Sequence, residues 1–169
     1  MPRPPMQADM INIRPAVPAD TPLILALVNE LAEYEKLLQD VKATQAQLRE
    51  ALFGPSPKVF CAIAEIGEKS AGFALWYYSF STFQGLHGIY LEDLIVLEPF
   101  RGRGIGKALL KHLARRCIDE QLGRLEWSVQ DWNIPSIDFY KSQGAVLVGD
   151  WTRARISEAA LVHLASKAD

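Results

Sequence analysis

Cysteine is scarce in this chain: Cys61 and Cys117 are the two, far outside any C-x-x-C spacing. That excludes a disulfide framework and a paired-thiol redox site, and both read as buried small hydrophobes in a reducing compartment. Histidine is equally sparse. His87, His112 and His163 never fall at i, i+4 around a carboxylate, so the helical zinc motif is missing and no metal site is expected. Charge of either sign is not in excess, with 18 Lys+Arg against 20 Asp+Glu and a formal net charge of -2. Because the basic residues are scattered rather than striped, neither nucleic acid nor an anionic membrane is expected as a partner. No uncharged apolar run approaches the ~18 residues of a membrane span, and Met1-Pro2-Arg3-Pro4-Pro5 lacks the apolar core of an export signal. A cytoplasmic location is the expectation.

What the chain does have is apolar content. At 169 residues and 49% hydrophobic, it is long enough for one domain burying roughly 70% of its unfolded surface. That domain is expected over residues 10–169, after a Pro-rich, disordered start at 1–9. Ile11 and Ile13 before Arg14-Pro15 predict a first strand, and Asp20-Thr21-Pro22 opens a helix capped by Asp20 or Thr21, with Leu23, Leu27, Leu31 and Tyr34 on its core face. Thr44 followed by Gln47 is a capping-box pattern for a second, shorter helix. Residues 58–66 and 71–78 read as a hairpin, 79–88 as a loop, and 90–97 as a fourth strand. In that strand Tyr90, Glu92, Leu94 and Val96 project to one face and Leu91, Asp93, Ile95 and Leu97 to the other. A helix over 104–120 buries Ile105, Leu109, Leu113 and Cys117 and exposes Lys107, Lys111 and Arg115. Residues 125–129 form a fifth strand, and a short helix from Asn133-Ile134-Pro135 ends at Gly144. Two more strands, 145–148 and 153–156, precede a last helix capped by Ser157. The order predicts an α/β (α+β) layer fold with a mixed sheet.

Between the fourth strand and its helix stands Arg101-Gly102-Arg103-Gly104-Ile105-Gly106. Glycine at every second position lets backbone N–H groups turn inward, and they run into a helix N-terminus whose first amides have no intrahelical partner. Such a loop cradles anions. Lys107 occupies the third-glycine position of the dinucleotide fingerprint, and Arg101 and Ala108 break the P-loop pattern, so neither nucleotide motif applies. The glycines alone are equally compatible with a plain strand-to-helix turn.

The company of that loop resembles the acetyl-CoA signature of the GNAT acetyltransferases. Tyr90-Leu91-Glu92-Asp93, the glycine loop, Trp132-Asn133 with Pro135-Ser136 and Tyr140, and the early Tyr34-Glu35 are most similar to the diamine (spermidine/spermine-type) acetyltransferases and their thialysine-acetylating relatives. The likeness runs from about Ile11 to Trp151. It implies a mostly antiparallel mixed sheet, flanked by helices and splayed between strands four and five. There the backbone of Leu94, Ile95 and Val96 would bind pantetheine and the acetyl carbonyl. The pyrophosphate would lie over Gly102, Arg103, Gly104, Ile105, Gly106 and Lys107, with Arg101 adding charge, and Asn133, Pro135, Ser136 and Tyr140 would complete the acetyl-CoA site.

The same resemblance assigns catalysis to Glu92 and Tyr140. An alkylammonium of pKa near 10.4 costs roughly 4 to 5 kcal/mol to deprotonate at pH 7, so a base is useful. Glu92 matches the family base, acting through water, while as an isolated carboxylate it serves equally well as an anchor for the cation. Tyr140 matches the tyrosine that protonates the departing thiolate. The acceptor would meet Tyr34, Glu35, Glu92, Asp93, Glu126, Trp127 and Ser128. A homodimer is implied as well. Two departures, the basic Thr152-Arg153-Ala154-Arg155 and a loop carrying Phe83-Gln84-Gly85 where the family has tryptophan, leave the length and charge of the amine open. The activity expected is acetyl transfer to a primary amine of a small cationic acceptor: a diamine, a polyamine or a thialysine-like molecule. The alternatives are another amine (amino acid, toxin or protein lysine) and a non-catalytic acetyl-CoA-binding module.

Overall fold

The computed structural model describes residues 10–167, so the expected disordered start at 1–9 lies outside the described residues. These residues group into two compact units divided between Gln130 and Asp131. The first unit carries the sheet, a five-stranded ladder in the order β1-β2-β3-β4-β5. Its strands are β1 (Ile11–Pro15), β2 (Phe60–Ile66), β3 (Lys69–Ser81), β4 (Leu86–Val96) and β5 (Leu125–Trp127). All neighbours are antiparallel except β4 and β5, which run parallel. The mixed, helix-flanked sheet expected from the sequence is therefore present.

Helices cover both faces. On one side α1 (Thr21–Tyr34) and α2 (Gln45–Phe53) supply Ile24, Leu27 and Leu52 to a core with Cys61, Ile63, Phe73, Leu75 and Ile95. On the other, α3 (Ile105–Asp119) buries Ile105, Leu109, Leu113 and Cys117, as its 3.6-residue period predicts. His112 and Arg116 of α3 lie against Trp76 of β3. Thr44 and Gln47 form the reciprocal capping box at the start of α2, satisfying two amides the helix leaves bare.

Several local expectations are corrected. Tyr34 is exposed and Ile24 takes its place on the core face of α1, because the helix buries only its side against the sheet. Asp20 precedes α1 without a side-chain cap; its carboxylate instead accepts from both terminal nitrogens of Arg14, at 2.7 and 3.0 Å, and from the Val17 amide. Arg14 also donates Nε to Glu65 of β2 at 2.7 Å, so one guanidinium ties the sheet to the start of α1. The loop expected at 79–88 shrinks, since β3 and β4 stay paired as far as Ser81 opposite Leu86. Cross-strand bonds extend the hairpin through polar and glycine residues that propensity reads as loop.

The strict alternation expected along β4 also fails. Leu91 pairs with Trp76, yet Asp93 pairs with Leu75, so β4 spends two residues where β3 spends one, with Glu92 as the bulged residue. The bulge puts Asp93 and Ile95 on the face of α1 and α2, opposite to Leu91, rather than on one face with it.

In the second unit α4 (Ile134–Ser142) ends ahead of Gly144 in the left-handed region at φ 94°, and α5 (Glu158–Ala165) follows. The strands expected at 145–148 and 153–156 are not formed: Val146, Val148, Trp151 and Ile156 are exposed, and no ladder reaches them. Strand propensity spans only about 1 kcal/mol and cannot substitute for a paired edge.

The Arg14 clamp sets a testable acid sensitivity. The hydrogen bond from Arg14 holds the Asp20 carboxyl below the usual carboxylate range, so its stabilisation is present above the ordinary Asp pKa and is lost as pH falls through the depressed folded value. Asp20→Asn should cost about 2 kcal/mol at pH 7. That difference should shrink toward zero in denaturant titrations at progressively lower pH, and a constant difference would remove the ion pair from the account.

Candidate active site

Strand β4 is the element on which the first unit's candidate residues converge. Its parallel ladder with β5 holds three pairs, Ile89 with Leu125, Tyr90 with Glu126 and Leu91 with Trp127. Beyond Leu91 the β5-facing edge of β4 has no ladder partner, and that stretch contains Glu92, Asp93, Leu94, Ile95 and Val96. The ladder with β5 therefore ends before Leu94, Ile95 and Val96, the residues whose backbone was expected to be free. The Val96 carbonyl accepts from Arg101 Nε at 3.0 Å, so the end of β4 is tied to the loop that follows.

That loop enters α3 through two glycines in the left-handed region, Gly102 at φ 74° and Gly104 at φ 82°, a conformation that a side chain disfavours. The space a Cβ would occupy at either is open. Gly104 is the N-cap and its carbonyl receives the Ala108 amide, leaving the amides of Ile105, Gly106 and Lys107 as first-turn donors without intrahelical acceptors. Gly106 itself sits in ordinary helix. Arg101, Arg103 and Lys107 are exposed around this turn, so positive side chains and the positive end of the helix dipole coincide. Arg103 lies over the Phe100 ring, and Arg101 lies over the Tyr34 ring, 5.1 Å from its centroid.

Acids gather around the bulge of β4 and the end of α1. Asp93 is pushed up to about 6, by burial first and then by the negative charges of Glu92 and Glu35. Burial also raises Glu35, the C-cap of α1. Glu92, the bulged residue, is exposed. Three of the predicted acceptor residues, Glu35, Glu92 and Asp93, are thus within electrostatic reach of one another, and Tyr34 flanks them on α1. Glu126 is different. It faces Tyr90 across the ladder but is ion-paired with Arg124 at 2.8 Å, so part of its charge is already matched. Trp127 closes the ladder, and the Ser128 hydroxyl lies 2.7 Å from that of Tyr90.

The remaining predicted residues belong to the second unit. Asn133 is buried and caps α4, its Oδ1 accepting from the Ser136 amide at 3.3 Å. Pro135 sits in the first turn, where its missing N–H costs nothing. Tyr140 is half-buried with its ring 5.3 Å from Phe139.

The profile of the Acetyltransferase (GNAT) family matches residues 24–145. The chain belongs to the GNAT acetyltransferase family. A thialysine N-epsilon-acetyltransferase of Bos taurus is 38% identical, with 93% of this chain and 98% of the relative covered. An L-ornithine N5-acetyltransferase of Arabidopsis thaliana is 29% identical over 89% and 86% of the two chains. Among solved structures, an integron cassette protein from the mobile metagenome of V. cholerae superposes with a TM-score of 0.77 at 28% identity, covering 93% of this chain and 98% of that one. This GNAT protein is accordingly an N-acetyltransferase, and the non-catalytic alternative is set aside. Among the described residues no helix is long and apolar enough to cross a membrane.

Sequence reasoning gave no role to the rings of Tyr77 and Tyr90, which stack 5.2 Å apart on the strands that carry Leu75 and Asp93. The register that joins them is a relation between two strands, and although β3 is rich in aromatics, β4 carries Tyr90 alone among Phe, Trp and Tyr. Asp93 yields a prediction that needs no turnover. Its folded pKa is raised, so folding is favoured while it is protonated and is penalised as pH rises through about 6. Asp93→Asn should therefore stabilise the protein by on the order of 2 kcal/mol at pH 8 and by little at pH 4, read from denaturant midpoints. Equal stability of the two proteins at pH 8 would show that the carboxylate is not strained by its neighbours.

Proposed function

We propose that this GNAT enzyme transfers the acetyl group of acetyl-CoA to a primary amine of a small cationic acceptor of the diamine, polyamine or thialysine-like kind. The observation that carries the reading is the convergence of Glu35, Glu92 and Asp93, with Asp93 raised to about 6. A cation placed among the three relieves the repulsion between them. The names of the relatives support the same chemistry, since thialysine and L-ornithine both present an amine at the end of a short side chain. An amino acid acceptor of that shape is therefore the second reading.

Within this proposal, acetyl-CoA supplies an activated acyl group whose leaving atom is a thiolate. The amides of Ile105, Gly106 and Lys107 and the left-handed turn at Gly102 and Gly104 receive its pyrophosphate, with Asn133, Pro135 and Ser136 as further contacts. The unpaired edge of β4 at Leu94, Ile95 and Val96 receives pantetheine, Val96 sharing its carbonyl with Arg101. Glu92, exposed at the bulge, takes the ammonium proton through water, and Asp93 and Glu35 hold the cation. The Tyr140 hydroxyl donates to the thiolate. Phenol to thiol transfer is uphill by roughly 2 kcal/mol, so a hydrogen bond that strengthens as charge develops is its main contribution.

An amine panel scored by thiol release and mass-confirmed acetylation tests the reading. Diamines and amino acids with a terminal amine should exceed simple monoamines in kcat/KM, and activity confined to peptide lysines would overturn it. Two variants separate the proposed roles. Tyr140→Phe should lower kcat by on the order of 10² to 10³ at every pH. The Glu92→Gln defect should shrink as pH rises toward about 10, where the amine is neutral without help. Parallel pH profiles for the two variants would count against a base at Glu92.

A further inference from the structure

The acceptor side of β4 holds a contact that the proposed chemistry has not used. In the parallel register of β4 and β5, the pair after Leu91 with Trp127 would be Glu92 with Ser128. That pair is absent: β5 ends at Trp127, and Glu92 is also the residue of β4 that has no partner in β3. Ser128 instead reaches back by its side chain to the Tyr90 hydroxyl, 2.7 Å away. Tyr90 is itself stacked on Tyr77 at 5.2 Å, with 28° between the ring planes. Tyr77 lies two residues along β3 from Leu75, the partner of Asp93, so the stacked rings and Asp93 share a face.

We infer that the Tyr90 and Ser128 hydroxyls form a positioning latch at the point where β4 and β5 separate, holding the chain beyond β5 beside Glu92 and fixing an aromatic wall for an alkylammonium acceptor. β5 is only three residues long, so its own ladder restrains the residues that follow very little. A side-chain bond one step behind the divergence sets where the gap opens. The Tyr77 and Tyr90 rings then lie at a fixed place next to Asp93, and tyrosine faces attract alkylammonium groups. Neither hydroxyl exchanges a proton with the amine in this account. Both act through the position of the wall and of Glu92, so they are positioning residues.

The inference rests on amine acetylation as proposed above, and the experiment separates the two. Tyr90→Phe keeps the ring and removes the hydroxyl, Ser128→Ala removes the other, and the double variant closes the cycle. Each single variant should lower kcat/KM for the best amine by about 3- to 10-fold, the effect of one neutral hydrogen bond. The double variant should be no worse than either by more than about twofold, because both remove the same contact. Acetyl-CoA affinity by calorimetry should be unchanged in all three. Hydrogen exchange at residues 128–130 should quicken in each variant, a readout that needs no turnover. Losses that multiply in the double variant, or unchanged exchange, would overturn the latch. If the parent acetylates no amine of the panel, the functional reading fails on its own, and exchange alone then decides whether the hydroxyls restrain the strand end.

Discussion

The ladder between β4 and β5 ends after three pairs, and most of what is particular to this chain depends on that early ending. A central strand normally satisfies its backbone on both edges. Here β4 keeps β3 along its whole length but loses β5 after Leu91, so residues 92–96 offer peptide groups on one edge to something outside the sheet. The bulge at Glu92 falls at the same place. Two residues opposite one turn the strand locally, sending Glu92 outward and Asp93 to the face of α1. The end of the β5 ladder and the bulge against β3 thus coincide at Glu92.

Holding these acids together has a thermodynamic cost. Asp93 is raised by burial and by Glu92 and Glu35, and no cationic side chain is among the causes of its shift. Elsewhere the fold treats buried charge in the opposite way. Asp20, which is buried, is matched by Arg14, which also holds Glu65. In the proposed reaction, charge left raised as at Asp93 is where an outside cation would bind. In a GNAT acetyltransferase, whose acceptor is an amine, a cation is the partner that fits.

The proposed pyrophosphate side follows the same logic with the sign reversed. Gly102 and Gly104 take left-handed angles that a side chain would resist, and Gly104 delivers the chain into α3 so that the first-turn amides converge. Arg101 links the end of β4 to α1, bonding the Val96 carbonyl while lying over Tyr34. Glycine conformation, helix start and strand end are therefore one continuous piece of backbone.

Much of this was legible in the residues. The period of residues 105–117, the Thr44 and Gln47 capping box and the glycine spacing each act over three or four residues, so local chemistry alone determined α3, α2 and the loop between β4 and α3. Relations between distant segments were another matter. The bulge at Glu92 is a mismatch of register between two strands, the stacking of Tyr77 on Tyr90 follows from that register, and the use of Asp20 as a partner for Arg14 rather than as a cap depends on where β1 lies. The strands expected at 145–148 and 153–156 failed for the complementary reason, since propensity supplies a willing strand but no edge. Sequence by itself determined the helices, the turn chemistry and the family, because these rest on short-range patterns; only the tertiary structure decided which face each acid of β4 occupies, because that is set by pairing between strands far apart in the chain.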